Sequence, residues 1–553
     1  MTTWPPVLRA GDEVDVDVLV VGAGVAGLVT ALEVVERAPG ARVAVVDKGA
    51  IGTSGSTPLA QGGLAAAVGP DDSPERHAAD TLRAGDGLCD ALAVRVMAAA
   101  GPERVADLVR RGARFDRAPG GGFALAREGG QSVARSVRAA DATGAEIFRV
   151  LRRGLVSARA GGASVERLQG RACALAQTAS GAVVGAWVLA DGVAASALGP
   201  EQEEGLVLVR ARRTVLATGG CGGLYATTTN RSAATGDGVA LAYAAGATVA
   251  DMEFIQFHPT ALADGAGGDG CLLLTEALRG AGATLVDRDG RRFLPEVHPD
   301  AELAPRHVVT KAILDQPGGV WLDATALPPQ VLAEEFPTVV AGARRHGYDL
   351  AREPVPVRPA EHYMIGGVAT DLDGRTSLPR LFAVGEVACT GVHGANRMAG
   401  NSLLQSCVFG ARAAAAVAGD LAVDEDPLGD PDPPPVRGGT APSGDLDGLR
   451  RTLRAAMDDG AGPVRDAAGL ARATAALDRA EAALGAPTLD AAHVELRHLV
   501  TVARLIVRHA RLRTESRGVH WRDDHPRRDP AWDGVRLRSA AVDVLARGAG
   551  RVD

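Results

Sequence analysis

Aromatic residues make up only 3% of this 553-residue chain, against 46% hydrophobic residues in all, so its core must be built from small aliphatics. Cysteine is scarce and scattered. The six, Cys89, Cys173, Cys221, Cys271, Cys389 and Cys407, contain no Cys-x-x-Cys pair. Neither a zinc centre nor an iron–sulfur cluster is supported, no metal is expected, and reduced cytoplasmic thiols are the expectation. Positive charge is not in excess: 59 Lys+Arg face 67 Asp+Glu, for a net charge of -8. That balance argues against nucleic-acid partners. Long apolar runs are missing too. The first, from Val18, is broken by glycines and meets Glu33 before it could span a bilayer. No basic segment precedes an apolar one at the N-terminus, so no signal peptide is read. What remains is a soluble, cytoplasmic protein with no membrane partner, long enough for two or three domains.

What is present is organised around Asp17-Val-Leu-Val-Val-Gly-Ala-Gly-Val-Ala-Gly27. A buried strand runs into Gly22-x-Gly24-x-x-Gly27, and a helix follows from Leu28 to Glu36. Gly22 permits the turn, Gly24 lets a pyrophosphate approach the backbone, and Gly27 lets helix pack on strand. The helix N-terminus offers free N–H groups and partial positive charge to phosphates. A second strand, Ala41 to Val46, ends at Asp47, about where a ribose-binding carboxylate belongs. Gly265-Ala-Gly-Gly-Asp-Gly270 has the same spacing but no flanking strands, and reads as a loop.

Two more buried strands end in glycine: Thr214-Val-Leu-Ala-Thr-Gly-Gly220 and Leu381-Phe-Ala-Val-Gly-Glu386. In an open parallel sheet such ends meet at the ligand crevice. One long cofactor crossing several of them suits FAD better than NAD, and no second dinucleotide fingerprint exists for a nicotinamide reductant. The substrate itself then reduces the flavin.

The expected architecture is an α/β FAD-binding Rossmann-like domain with an inserted α+β capping domain and a C-terminal helical domain. Residues 1–250 and 361–420 form the discontinuous FAD-binding domain, 251–360 the cap, 421–447 a mobile Pro/Gly/Asp-rich linker, and 448–553 the helical domain. Residues 163–212 alternate apolar and polar positions and predict a small antiparallel meander. Gln256 and His258 are two apart, so in an extended segment they project from one face. Pro305 sits near the start of a helix. His258, His362, Arg306 and Arg397 fall at the edges of the insert. Arginine forks bind carboxylates, so as a set these residues suit a small dicarboxylate held between two domains.

Several stretches carry a resemblance. Gly55-Ser-Thr-Pro-Leu-Ala-Gln-Gly-Gly63, Glu253-Phe-Ile-Gln-Phe-His-Pro-Thr260, Leu274-Thr-Glu-Ala-Leu-Arg-Gly280, Ala304-Pro-Arg-His-Val-Val309, His362-Tyr-Met-Ile-Gly-Gly367 and His393-Gly-Ala-Asn-Arg-Met-Ala-Gly-Asn-Ser-Leu403 resemble the succinate dehydrogenase/fumarate reductase flavoprotein family. The match runs from about Asp15 to Leu403 and resumes at Glu515-Ser-Arg-Gly-Val-His-Trp-Arg522. Ser56 stands where respiratory members carry the histidine that bonds FAD covalently, so the resemblance implies non-covalent FAD. Arg127-Glu-Gly-Gly130 is similar to the loop of the aspartate-oxidising branch, whose glutamate meets the substrate amino group.

The resemblance therefore implies oxidation of L-aspartate to iminoaspartate, with oxygen or fumarate reoxidising the flavin. It implies a place at the first step of NAD biosynthesis and a functional link to quinolinate synthase. The alternative is a soluble fumarate reductase/succinate dehydrogenase-type flavoprotein. Carried over residue by residue, Gln256, His258, Thr275, His362 and Arg397 hold carboxylates, and Glu128 recognises the ammonium. Arg306 matches the proton-transfer arginine, although a pKa above about 12 makes electrostatic stabilisation as defensible. The implied cofactor positions are Gly22, Ala23, Gly24, Ala26, Gly27, Asp47, Lys48, Ser56, Thr57, Ala60, Gln61, Gly62, Gly63, Asp237, Glu386, Ser402 and Leu403. Two departures stand out: His307 after Arg306, and Ala281, both where relatives commonly place acids.

Overall fold

The computed structural model describes residues 13–49, 55–190, 205–263, 270–423, 428–434 and 444–541. The glycine-rich segment 265–270 lies outside them except for Gly270.

The central sheet contains β1 (Glu13–Val21), β2 (Val43–Asp47), β3 (Val165–Gln177), β4 (Val183–Ala190), β5 (Leu206–Leu216) and β6 (Leu381–Ala383). β1 is apolar on both faces because each face meets its own core. Leu19 and Val21 enter one cluster, Val18 and Val20 the other. Register aligns the strand ends: Val21 lies opposite both Val46 and Leu216, and Leu216 lies opposite Ala383. The turns after β1, β2, β5 and β6 therefore emerge along one edge.

The expected meander is present as β3–β4–β5, but it is not separate from the parallel sheet. β3 pairs parallel to β2 through Gln169 and antiparallel to β4 from Gly170 onward. β5 likewise pairs with β4 near its start while running parallel to β1 and β6. A single strand thus serves both layers, a continuity that local alternation does not reveal.

The insert has its own antiparallel sheet, in the order Ile255–Leu262, Val355–Met364, Val320–Asp323, Thr284–Asp287. Its helices Arg306–Leu314 and Pro337–Arg345 contribute Val309, Ile313, Val339 and Ala343 to a separate core. Helix Pro337–Arg345 is tied to the rest of the molecule at its N-terminus. Asp141 accepts from the N–H of Thr338 (3.0 Å) and of Val339 (2.7 Å), and Arg138 pairs with Glu335 at 2.9 Å.

Helix Asn401–Val423 is long and apolar enough to cross a membrane by composition, yet Leu404, Val408 and Ala414 sit inside the second core. Three helices end the chain: Leu446–Gly460, Ala467–Leu484 and Ala491–Leu512. In the last, Leu496, Leu499, Val500, Ala503, Val507 and Ala510 recur at helical spacing along one face and are buried. That face packs into the same cluster as β5 and helix Asp237–Ala244, so these helices share the core of the main body. Part of the expected linker, residues 428–434, lies against the sheet. The Asp432 N–H donates to the Gln177 carbonyl at 2.7 Å, and Arg210 faces Asp430 at 3.5 Å.

Candidate active site

One cavity of about 480 Å³ runs along the strand-end edge and continues beneath the cap. Its first half is backbone. Gly22 has φ +110°, and an added Cβ would lie 2.2 Å from the Ala217 carbonyl oxygen. At Gly27 a Cβ would come within 2.0 Å of the Gly22 carbonyl oxygen. Gly24 differs: a Cβ there would meet only Thr57 Oγ1, at 3.3 Å, because its open side is the cavity. Helix Val25–Arg37 starts at Gly24 with no side-chain cap, and the Val25 N–H donates to Thr57 Oγ1 at 3.2 Å. Uncapped N–H groups facing a groove suit a pyrophosphate. Ala23, Ala26, Asp47, Lys48, Ser56, Thr57, Ala60, Gln61, Gly62, Gly63, Glu386, Ser402 and Leu403 also line it. Buried Gln61 Oε1 has no protein partner. A dinucleotide fits these residues: a cradle without side chains at one end, polar atoms awaiting partners along the rest.

The second half is charged. Glu128 lies under the loop, its Oε1 accepting from the Gly63 N–H at 3.1 Å, and burial with Glu276 nearby pushes its pKa up. Thr275, His258, His362, Arg306 and Arg397 line the same cavity. Thr275 caps helix Glu276–Gly280 by accepting from the Ala277 N–H, which leaves its hydroxyl hydrogen available to a ligand. His258 Nδ1 accepts from the Thr260 N–H at 3.2 Å, and its buried Nε2 has no partner. Burial and Arg306 hold this ring well below the usual imidazole pKa, so it is neutral. A neutral imidazole accepting at Nδ1 must carry its hydrogen on Nε2. His258 is therefore a donor. The His362 pKa is also pushed far down by burial, then by Arg306 and Arg397, and the two rings lie 5.1 Å apart.

Arg306 is fixed from two sides: its Nε donates to Glu276 Oε2 at 2.6 Å and its Nη1 to Gln256 Oε1 at 3.2 Å. Arg397 donates to Ser402 Oγ at 3.1 Å, lies 4.6 Å over the Tyr363 ring, and keeps a buried Nε without a partner. Burial and Arg306 lower the Arg397 pKa to about 10, which leaves it cationic at neutral pH. Two guanidiniums in one dry cavity repel each other, and a dianion would relieve both.

Three expected contact residues sit behind the wall. Gly27 packs helix on strand without reaching the cavity. Asp237 is held by Lys48 at 2.7 Å and His498 at 3.0 Å, which keeps its pKa strongly depressed; it orients Lys48 instead of lining the cavity. Gln256 brackets the two arginines, bonding Arg306 and donating to the Arg397 carbonyl at 2.8 Å. The pairing of its strand shifts register between Gln256 and Phe257. Gln256 pairs with Tyr363 and Phe257 with Glu361, so His362 is the bulged residue. Bulges re-aim side chains, and this one turns His362 into the cavity.

His307 faces a small cleft shared with Gly518 and Trp521, outside this cavity. Ala281 ends helix Glu276–Gly280 with its N–H on the Ala277 carbonyl. Neither departure touches the site. Glu276, Thr229 and Tyr363 were not foreseen as site residues. The signal for Glu276 was a carboxylate three residues from Arg279 in an otherwise apolar segment. Among the described residues no cluster could hold a metal ion.

Residues 17–403 match the family described as FAD binding domain, and residues 450–540 match the fumarate reductase flavoprotein C-terminal family. The chain is 44% identical to an L-aspartate oxidase of Streptomyces coelicolor, over 93% of this chain and 89% of the relative. It is 45% identical to one of Caulobacter vibrioides, over 94% of each. Among solved structures, an E. coli quinol fumarate reductase superposes with a TM-score of 0.85 at 28% identity, covering 96% of this chain and 95% of that one. The cofactor is FAD. With that cradle, that cap and these relatives, the chain belongs to the succinate dehydrogenase/fumarate reductase flavoprotein family, in its L-aspartate oxidase branch.

Proposed function

We propose that this enzyme oxidises L-aspartate to iminoaspartate, the first step of NAD biosynthesis from aspartate, with oxygen or fumarate reoxidising the flavin. The observation that carries the reading is a single cavity lined by Glu128 and, with it, by Arg306, Arg397, His258 and His362. A dicarboxylate needs the second set; only an amino acid needs the first.

The bound FAD supplies the hydride acceptor. The chain does the rest. Arg397 and the Nε2–H of His258 hold carboxylates, with Thr275 and His362 as further donors. Glu128 faces the ammonium. Its carboxyl, pushed up by burial, is a better proton acceptor than an exposed glutamate. Arg306, clamped by Glu276 and Gln256, holds the carboxylate beside the reacting carbon. Loss of one N-proton and of the Cα hydrogen as hydride turns the amine into the imine. Ser56, which lines the cavity where respiratory members carry the bonding histidine, would not attach FAD covalently, so acid precipitation should leave the flavin in the supernatant.

The test is anaerobic bleaching of the purified holoenzyme. L-Aspartate should discharge the flavin absorbance and succinate should not. Bleaching by succinate alone would move the chain to the dicarboxylate-oxidising branch.

A further inference from the structure

Thr229 stands against the back of His362. Its Oγ1 lies 2.8 Å from His362 Nδ1 and 3.2 Å from the Glu361 carbonyl oxygen, so one hydroxyl hydrogen has two acceptors in reach. The carbonyl is already served. It accepts from the Thr229 N–H at 2.8 Å, and the Thr228 hydroxyl stands 3.3 Å from it while donating to the nearer Glu361 carboxylate at 2.6 Å. The imidazole nitrogen is nearer and has no other partner in the described residues.

We infer that Thr229 is a positioning residue: its hydroxyl donates to His362 Nδ1 and holds that ring in the tautomer whose Nε2–H faces the cavity. The loop is built to keep it there. Thr229 is buried, and the Glu361 N–H returns a bond to the Thr227 carbonyl at 2.9 Å. The hydroxyl is thus pinned to the strand that carries the histidine. The consequence is a matched pair. His258 is set as an Nε2–H donor by the Thr260 N–H, and His362 is set the same way by a side chain. Were the hydrogen of His362 on Nδ1, a lone pair would face the ligand carboxylate and repel it. This assignment deepens the dicarboxylate reading of the cavity and rests on it for its effect on substrate.

The experiment compares the holoenzyme with Thr229→Val and Thr229→Ser. Long-range proton–nitrogen spectra of histidine-labelled protein read the tautomer, with the His362 signals assigned by their loss in His362→Gln. The wild type should show Nε2 protonated. Thr229→Val should show a mixture or the other tautomer, with KM for L-aspartate and the dissociation constant of succinate raised about tenfold. Flavin content and kcat should change much less, and Thr229→Ser should restore both. A wild type with Nδ1 protonated, or a valine variant with unchanged tautomer and KM, overturns the inference. If the tautomer behaves as stated but neither L-aspartate nor succinate perturbs the flavin, the role of Thr229 stands and the dicarboxylate reading falls.

Discussion

Single side chains separate what holds the fold from what holds the ligand. Gly24 and Gly27 belong to one fingerprint but differ in what surrounds them. Gly27→Ala drives a Cβ into the Gly22 carbonyl oxygen and should leave little folded protein. Gly24→Ala meets only the tip of Thr57 and should fold, yet its methyl occupies the phosphate approach. Circular dichroism beside flavin content should find the Gly24 variant native-like and flavin-poor. Glu128→Gln keeps the shape of the wall and removes its charge. Losing one charge-assisted contact of roughly 1.5–3 kcal/mol should lower kcat/KM for L-aspartate about ten- to a hundredfold. Succinate affinity should hold within about threefold, and equal losses would remove the ammonium role. The sequence named most of the wall, because those residues sit in long, specific stretches. It did not give depth: Gln256 and Asp237 are where the chain order puts them, but Gln256 is taken up by bonds to Arg306 and the Arg397 carbonyl, and Asp237 by its ion pair with Lys48.

At the level of elements, Asp141 ties the cap to the main body at the cavity wall. Asp141 caps helix Pro337–Arg345, whose Thr338 and Arg345 both reach the cavity wall. An N-cap of this kind is worth about 0.5–2 kcal/mol. Asp141→Ala should therefore raise KM for L-aspartate several-fold without loss of flavin, and should speed proteolytic nicking within 300–350. A wild-type cleavage rate would show that the cap is held by other means. Elements were legible where periodicity is local, as in the strand–glycine–helix start and the last helix. β5 was not read whole, since its two halves answer to different partners and only tertiary pairing makes them one strand.

Across the whole molecule, buried neutral histidines set the acid limit. Burial lowers the pKa of His77 to about 4 and of His393 and His520 to about 3. Unfolded, each takes up a proton below about pH 6.5; folded, it stays neutral. The unfolded state therefore binds more protons, and stability falls as pH drops from about 6.5 toward the folded values. Each histidine contributes up to roughly 1.4 kcal/mol per pH unit. Flavin release on heating should come at progressively lower temperature from pH 7 to 5, with a shallower slope in His77→Gln. The architecture of FAD-binding body, cap and C-terminal helices was readable from the long insert between strands that end in glycine. The shared core of the final helices was not, because composition cannot say which body an apolar face will join.

The C-terminal segment reaches back to finish the site. Arg513 is buried against Glu253 at 2.6 Å, and the Val519 N–H donates to the Ala395 carbonyl at 2.9 Å, two residues before Arg397. During synthesis, Arg397 leaves the ribosome more than a hundred residues ahead of the strap that bonds Ala395 beside it. A truncated message ending in the proline-rich stretch would thus yield a chain with every cavity-lining side chain and no strap behind them.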